Sequence, residues 1–133
     1  MHHFSFQSHR ISLAGVEACR QLFEPILFQR STELLLVALV DEKVQLIELL
    51  AFGGTRDRVD LVTSDIFRKA VLIKASGLIL AHNHPSGDQR PSSSDRAVTR
   101  KMALRGEALD IVLIDHLVFN CEPVYSMRQH GYL

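Results

Sequence analysis

The chain has 133 residues, enough for one compact domain with a real core and too few for two. Hydrophobic residues make up 47% and charged residues 23%, which excludes a disordered or collagen-like chain. Fifteen Lys and Arg balance fifteen Asp and Glu, so bulk charge gives phosphate-backbone binding no support. The two cysteines, Cys19 and Cys121, form neither a C-x-x-C pair nor a disulfide framework, which points to a reducing, cytoplasmic setting. No apolar run reaches the length of a membrane span, and the N-terminus has no signal-peptide core. His2 and His3 carry no weight in this reading.

In chain order, Leu13 to Phe23 places apolar residues at helical spacing, and the helix is expected to stop near Pro25. Glu33 opens the run Leu34 to Val40, too short for a buried helix and right for a strand buried on both faces. A polar turn over Asp41-Glu42-Lys43 leads to a second strand, Val44 to Phe52, closed by Gly53-Gly54. Ser64-Asp65 predicts a helix start, with Ile66, Phe67, Ala70 and Val71 continuing at helical spacing. Gly77 to Ala81 is a third strand that runs into His82-Asn83-His84, and a loop rich in Pro, Ser and Gly follows from Pro85 to Pro91. Ser92 to Leu109 reads as a helix whose packing face is obscured by Lys101 and Arg105. Ile111 to Phe119 is a fourth strand, and Pro123 to Ser126 adds a short fifth. Helices alternating with strands and hairpins predict a single α/β (α+β) domain, a mixed sheet flanked by helices, over residues 1–133.

The informative stretch runs from His82 to Asp95. Side chains at i and i+2 on a strand share a face, so His82 and His84 can converge on one cation. Neutral imidazole and carboxylate are good zinc ligands, and His82, His84 and Asp95 make three, leaving the fourth tetrahedral position for water. That open position separates a catalytic zinc site from a closed structural one. The same residues allow a plainer reading, because Ser92 and Asp95 also have the spacing of a helix capping box. The cap leaves both histidines unaccounted for, and it can coexist with a metal site by fixing where Asp95 points.

H-x-H, seven residues, then S-x-x-D, with a glutamate upstream at the start of a strand, resembles the signature of the JAMM (MPN-plus) metalloproteases. His82, His84, Ser92 and Asp95 fill it. The wording His-Asn-His-Pro-Ser-Gly, Gly54-Thr55, the Leu-Ile-Leu-Ala-His approach and Ile-Asp-His-Leu-Val at 114–118 resembles the bacterial RadC family over roughly residues 8–133. The resemblance implies a JAMM, cytidine-deaminase-like fold with zinc on His82, His84 and Asp95, and Ser92 as donor to the oxyanion. Glu33 would be the general base, with Glu48 as its competitor in mid-strand. It also implies a peptide or isopeptide-linked protein as substrate. Nothing in Met1 to Gln29 resembles the helix-hairpin-helix segment that such proteins usually carry, so no such segment is expected here.

His116, beside Asp115, suits either a group supporting the metal ligands or a satisfied core histidine. Arg96, Arg100 and Glu107 read as an ordinary solvated helix face, and His9 and His130 as surface residues. Two other functions compete with hydrolysis. One is a nucleic-acid-processing factor of the kind the family's association with DNA repair suggests, which neutral charge disfavours. The other is a binding module that keeps zinc for structure alone, which has no need of Glu33.

Overall fold

The structure is a computed structural model that describes residues 2–5, 10–53, 59–87, 90–119 and 124–133. Six strands form one sheet: β1 (His2–Ser5), β2 (Leu34–Val40), β3 (Leu46–Gly53), β4 (Gly77–Asn83), β5 (Val112–Phe119) and β6 (Tyr125–Ser126). Among the described residues three helices accompany them, α1 (Val16–Leu27), α2 (Val59–Leu72) and α3 (Ser93–Ala108). The sheet order is β1-β3-β2-β4-β5-β6. Among the described residues only β4 and β5 run parallel, and the other pairs are antiparallel. A parallel pair needs a crossover, and α3 supplies it. The predicted mixed α/β sheet is therefore present.

The apolar run Leu34–Val40 becomes the sheet's central strand because each face has a core to fill. Leu36, Ala38 and Val40 join Phe23 and Leu27 of α1 in one cluster, while Val37 and Leu39 join Ile66, Phe67 and Met102 of α2 and α3 in the other. In β4, Ile79 and Ala81 face α1, and Leu78 and Leu80 face the other two helices. The second and fourth predicted strands begin two and one residues later than expected, at Leu46 and Val112. The turn between β2 and β3 is tied by Asp41, whose Oδ1 accepts from the N–H groups of Lys43 and Gln45, both at 2.9 Å.

Three features depart from the sequence reading. α1 continues through Pro25 to Leu27. Pro25 has no N–H to bond back to Gln21, but full burial of Phe23 and Leu27 and a bond from the Phe28 N–H to the Glu24 carbonyl (2.8 Å) outweigh that loss. β1 went unpredicted, because four residues carry too little periodicity, and its pairing with β3 supplies the order. α2 starts at Val59, before the Ser64-Asp65 signal. Gly54-Thr55 and Cys121 lie outside the described residues.

Candidate metal centre

The site forms at the carboxyl end of β4, where the chain leaves the sheet to start α3. His82 continues the Leu78–Leu80 side of β4, and His84 follows directly after the strand. The Gly87 N–H bonds to the His84 carbonyl at 2.9 Å, and Gly87 has φ +83°, a turn conformation suited to glycine. Beyond this loop, α3 opens with a full capping box. Ser92 Oγ accepts from the Asp95 N–H at 3.0 Å, and Asp95 Oδ2 accepts from the Ser92 N–H at 2.8 Å. The cap aims the Asp95 carboxylate at the two histidines.

His82 Nε2 and His84 Nε2 lie 2.8 Å apart, and Asp95 Oδ2 is 3.4 Å from the first and 3.1 Å from the second. A tetrahedral zinc with bonds of 2.0–2.1 Å spaces its ligand atoms by about 3.3 Å. The three separations, 2.8 to 3.4 Å, lie close to that spacing, so the group could hold a metal ion and its donor set suits zinc. Both histidines are buried. Burial resists ionisation of Asp95, but hydrogen bonds to His82 and His84, with the Ser92 N–H, hold its carboxyl well below the usual carboxylate range. The carboxylate is thus ready as an anionic ligand.

His116 answers the question left open by the sequence. It is 3% exposed, its Nε2 lies 2.6 Å from His82 Nδ1, and its Nδ1 lies 2.6 Å from Thr99 Oγ1. Thr99 in turn donates to the Asp95 carbonyl at 2.6 Å. One set of tautomers satisfies all three contacts. The His82 Nδ1–H donates to His116 Nε2 and the His116 Nδ1–H donates to Thr99, so that once His82 Nε2 gives up the proton it shares with Asp95, its lone pair faces the candidate metal position. Burial, reinforced by His82 and His84 and opposed by Asp95, holds the His116 imidazole well below its ordinary pKa, in the neutral form this chain requires. His116 thus contacts the candidate ligand His82 from within the core.

A β-bulge makes that contact possible. Leu78 pairs with Leu113 but Ile79 pairs with Asp115, so Ile114 is an extra residue in β5. It shifts the alternation, and Leu113 and His116 both face α3 while Leu117 faces α1. Buried Asp115 anchors the C-terminal segment there, accepting from Ser126 Oγ at 2.5 Å and from the Arg128 N–H at 3.1 Å.

Glu33 and Glu48 part company. Leu35 pairs with His82, which sets Glu33 just past the end of the ladder, beside His84. Glu33, His84, Ser86, Arg90, Pro91, Ser92, Arg96 and Tyr132 line one cavity of about 470 Å³. Glu48 instead pairs with Leu39, which pairs with Leu78, four residues from His82 along β4 and so about 13 Å away in that direction alone. Its carboxylate lies 3.2 Å from Lys69 Nζ.

Arg96 is exposed, as predicted, yet it lines the cavity, its guanidinium 5.3 Å from the centre of the Tyr132 ring. Arg100 and Glu107 are exposed. His130 is exposed and stacks on Tyr125, while His9 lies outside the described residues. Sequence reasoning passed over Thr99 and gave Asn83 no functional role. Thr99 stands four residues after Asp95, a helical spacing that places both on one face. Asn83 gave no signal beyond its place between two histidines.

A family model described as a RadC-like JAB domain matches residues 13–132. A protein of Thermotoga maritima named only "UPF0758 protein" is 39% identical over 102 residues, which cover 76% of this chain. The chain spans 46% of that relative's length.

Proposed function

Because the chain belongs to the RadC family through a RadC-like JAB domain, we propose that it is a zinc-dependent hydrolase that cleaves a peptide or isopeptide bond. The observation that carries this reading is the convergence of His82, His84 and Asp95 beside a cavity that also presents Glu33 and Ser92. When bound, zinc lowers the pKa of a coordinated water to about 7.

The protein's own groups supply the rest. Glu33 takes a proton from the attacking water and returns it to the leaving amine. Ser92 Oγ uses a lone pair to accept from the Asp95 N–H, so its O–H remains to donate to the carbonyl oxygen as negative charge grows there. His116 and Thr99 hold His82 in the ligating tautomer. The wall of Arg90, Pro91, Arg96 and Tyr132 flanks the space where an extended peptide would lie. Phosphodiester cleavage places more charge on the reacting group and is usually met by a second metal. Among the described residues, His82, His84 and Asp95 form the one cluster of this kind. Duplex DNA is therefore a weak partner in this reading. No helix among the described residues is long and apolar enough to cross a membrane. Two lone cysteines suit the reducing cytoplasm.

The test is metal analysis joined to a cleavage screen. Zinc-loaded protein should hold about one zinc per chain, lost in His82→Ala, His84→Ala and Asp95→Ala. A peptide and isopeptide library should be cleaved in a zinc-dependent manner that a chelator stops. Absence of bound metal refutes the proposal. So does zinc-dependent DNA nicking that is lost in Glu33→Gln, if no peptide is cleaved.

A further inference from the structure

Asn83 sits between the two candidate ligands yet belongs to neither the zinc cluster nor the cavity. It continues the Ile79–Ala81 side of β4 and is 0% exposed. Its carboxamide reaches across to the segment that leads into β2. Asn83 Oδ1 accepts from the Leu34 N–H at 2.7 Å, and Asn83 Nδ2 donates to the Thr32 carbonyl at 3.0 Å. These two groups flank Glu33. The paired residues of β2 and β4 end at Leu35 and His82, so the side chain takes over where the backbone ladder stops.

We infer that Asn83 is a positioning residue for Glu33, a carboxamide clamp that fixes the glutamate's backbone to the strand end that carries both histidines. The inference rests on the reading of Glu33 as the proton acceptor. The chemistry of the clamp is specific, since it needs one acceptor and one donor on a single planar group. An apolar residue of the same size would remove both bonds and leave the Leu34 N–H and the Thr32 carbonyl without this partner. An aspartate would keep the bond from Leu34 but set an oxygen against the Thr32 carbonyl. The geometry also gives the clamp a reason to lie here. Glu33 is held from β2 while His82 and His84 are held from β4, so the distance from base to metal depends on how the two strand ends are joined. A rotation of the Thr32–Leu34 backbone would swing the Glu33 carboxylate away without moving a single ligand.

The experiment uses zinc itself as the probe. In protein labelled with 13C at glutamate carboxyls, the Glu33 signal is assigned by its loss in Glu33→Gln. Zinc addition should shift that signal in wild type. In Asn83→Ala, zinc should still bind at one per chain, while the zinc-induced shift of Glu33 falls at least threefold and the Leu34 amide exchanges faster. Asn83→Asp, which preserves volume and one of the two bonds, should reduce the shift less. A residue that merely stabilised the strand end would lower the melting temperature and leave the shift intact, so a full shift in zinc-loaded Asn83→Ala overturns the inference. If Asn83→Ala fails to fold or to take up zinc, Asn83→Asp decides: a reduced shift supports the clamp and a wild-type shift overturns it. Loss of zinc binding or of folding in both variants makes Asn83 part of the scaffold and also overturns it. Absence of any zinc-induced shift at Glu33 in wild type refutes the reading of Glu33, and the clamp falls with it.

Discussion

Replacing His116 with leucine separates a core histidine from one that serves the metal. The side chain is 3% exposed, and its Nε2 stands 2.6 Å from His82 Nδ1, so water has no room to replace it. His116→Leu leaves the His82 Nδ1–H buried without an acceptor, a loss of about 1–3 kcal/mol. Loss of such a partner also frees His82 to adopt the other tautomer, and removing groups of this type weakens metal binding about 10–100-fold. At about 1.4 kcal/mol per factor of ten, that range corresponds to roughly 1.4–2.8 kcal/mol, in agreement with the hydrogen-bond figure. Competition against a chromophoric zinc chelator at neutral pH measures the affinity, and thermal unfolding of the metal-free protein controls for folding. Thr99→Val should move affinity the same way but less, because His116 keeps its contact with His82. Wild-type zinc affinity in a folded His116→Leu protein would refute the reasoning, and His116 would then be core filling alone.

Other outcomes follow from the same geometry. Glu33→Gln should retain zinc and the fold and lose turnover, whereas Glu48→Gln should lower the melting temperature by stranding Lys69 (3.2 Å away) and leave turnover intact; steady-state assays with scans of both variants check this. Ser92→Ala should keep zinc, lose about 1 kcal/mol of stability with the cap, and slow the reaction about 10²–10³-fold. Burial, with the Asp115 charge, raises the Cys19 thiol from 9.0 to about 11. A raised folded pKa favours the neutral thiol, so its stabilising contribution is complete below about pH 9 and is lost as pH rises through 11. Mass-spectrometric mapping should therefore find Cys19 unalkylated in native protein at about pH 8 and labelled once the chain unfolds. A Cβ on Gly106 would meet the Ile111 carbonyl oxygen at 2.2 Å. Gly106→Ala should thus destabilise by about 1–3 kcal/mol in urea unfolding with zinc stoichiometry unchanged.

Much of the fold was legible because it rests on local pattern. The doubly apolar run at 34–40 could only be a strand covered on both faces, and Ser92 with Asp95 marked a helix start that the structure places within one residue of expectation. The spacing His82, His84, Asp95 announced a cluster, since strand alternation and a helix cap aim side chains by local geometry alone. Tertiary structure decided what depends on pairing between distant segments. α3 hid its packing face because the stripe it buries is Thr99, Met102 and Gly106, a set with little hydropathy that is chosen by contact with His116 and the start of β5. The bulge at Ile114 reversed the alternation of β5, and no periodicity within Ile111–Phe119 could have placed His116 on the side of His82. Which of Glu33 and Glu48 lies near the two histidines belonged to the β2–β4 register, in which Leu35 opposes His82 and Leu39 opposes Leu78. That register is set by the two cores that the sheet must fill together, a condition no single segment of the chain contains.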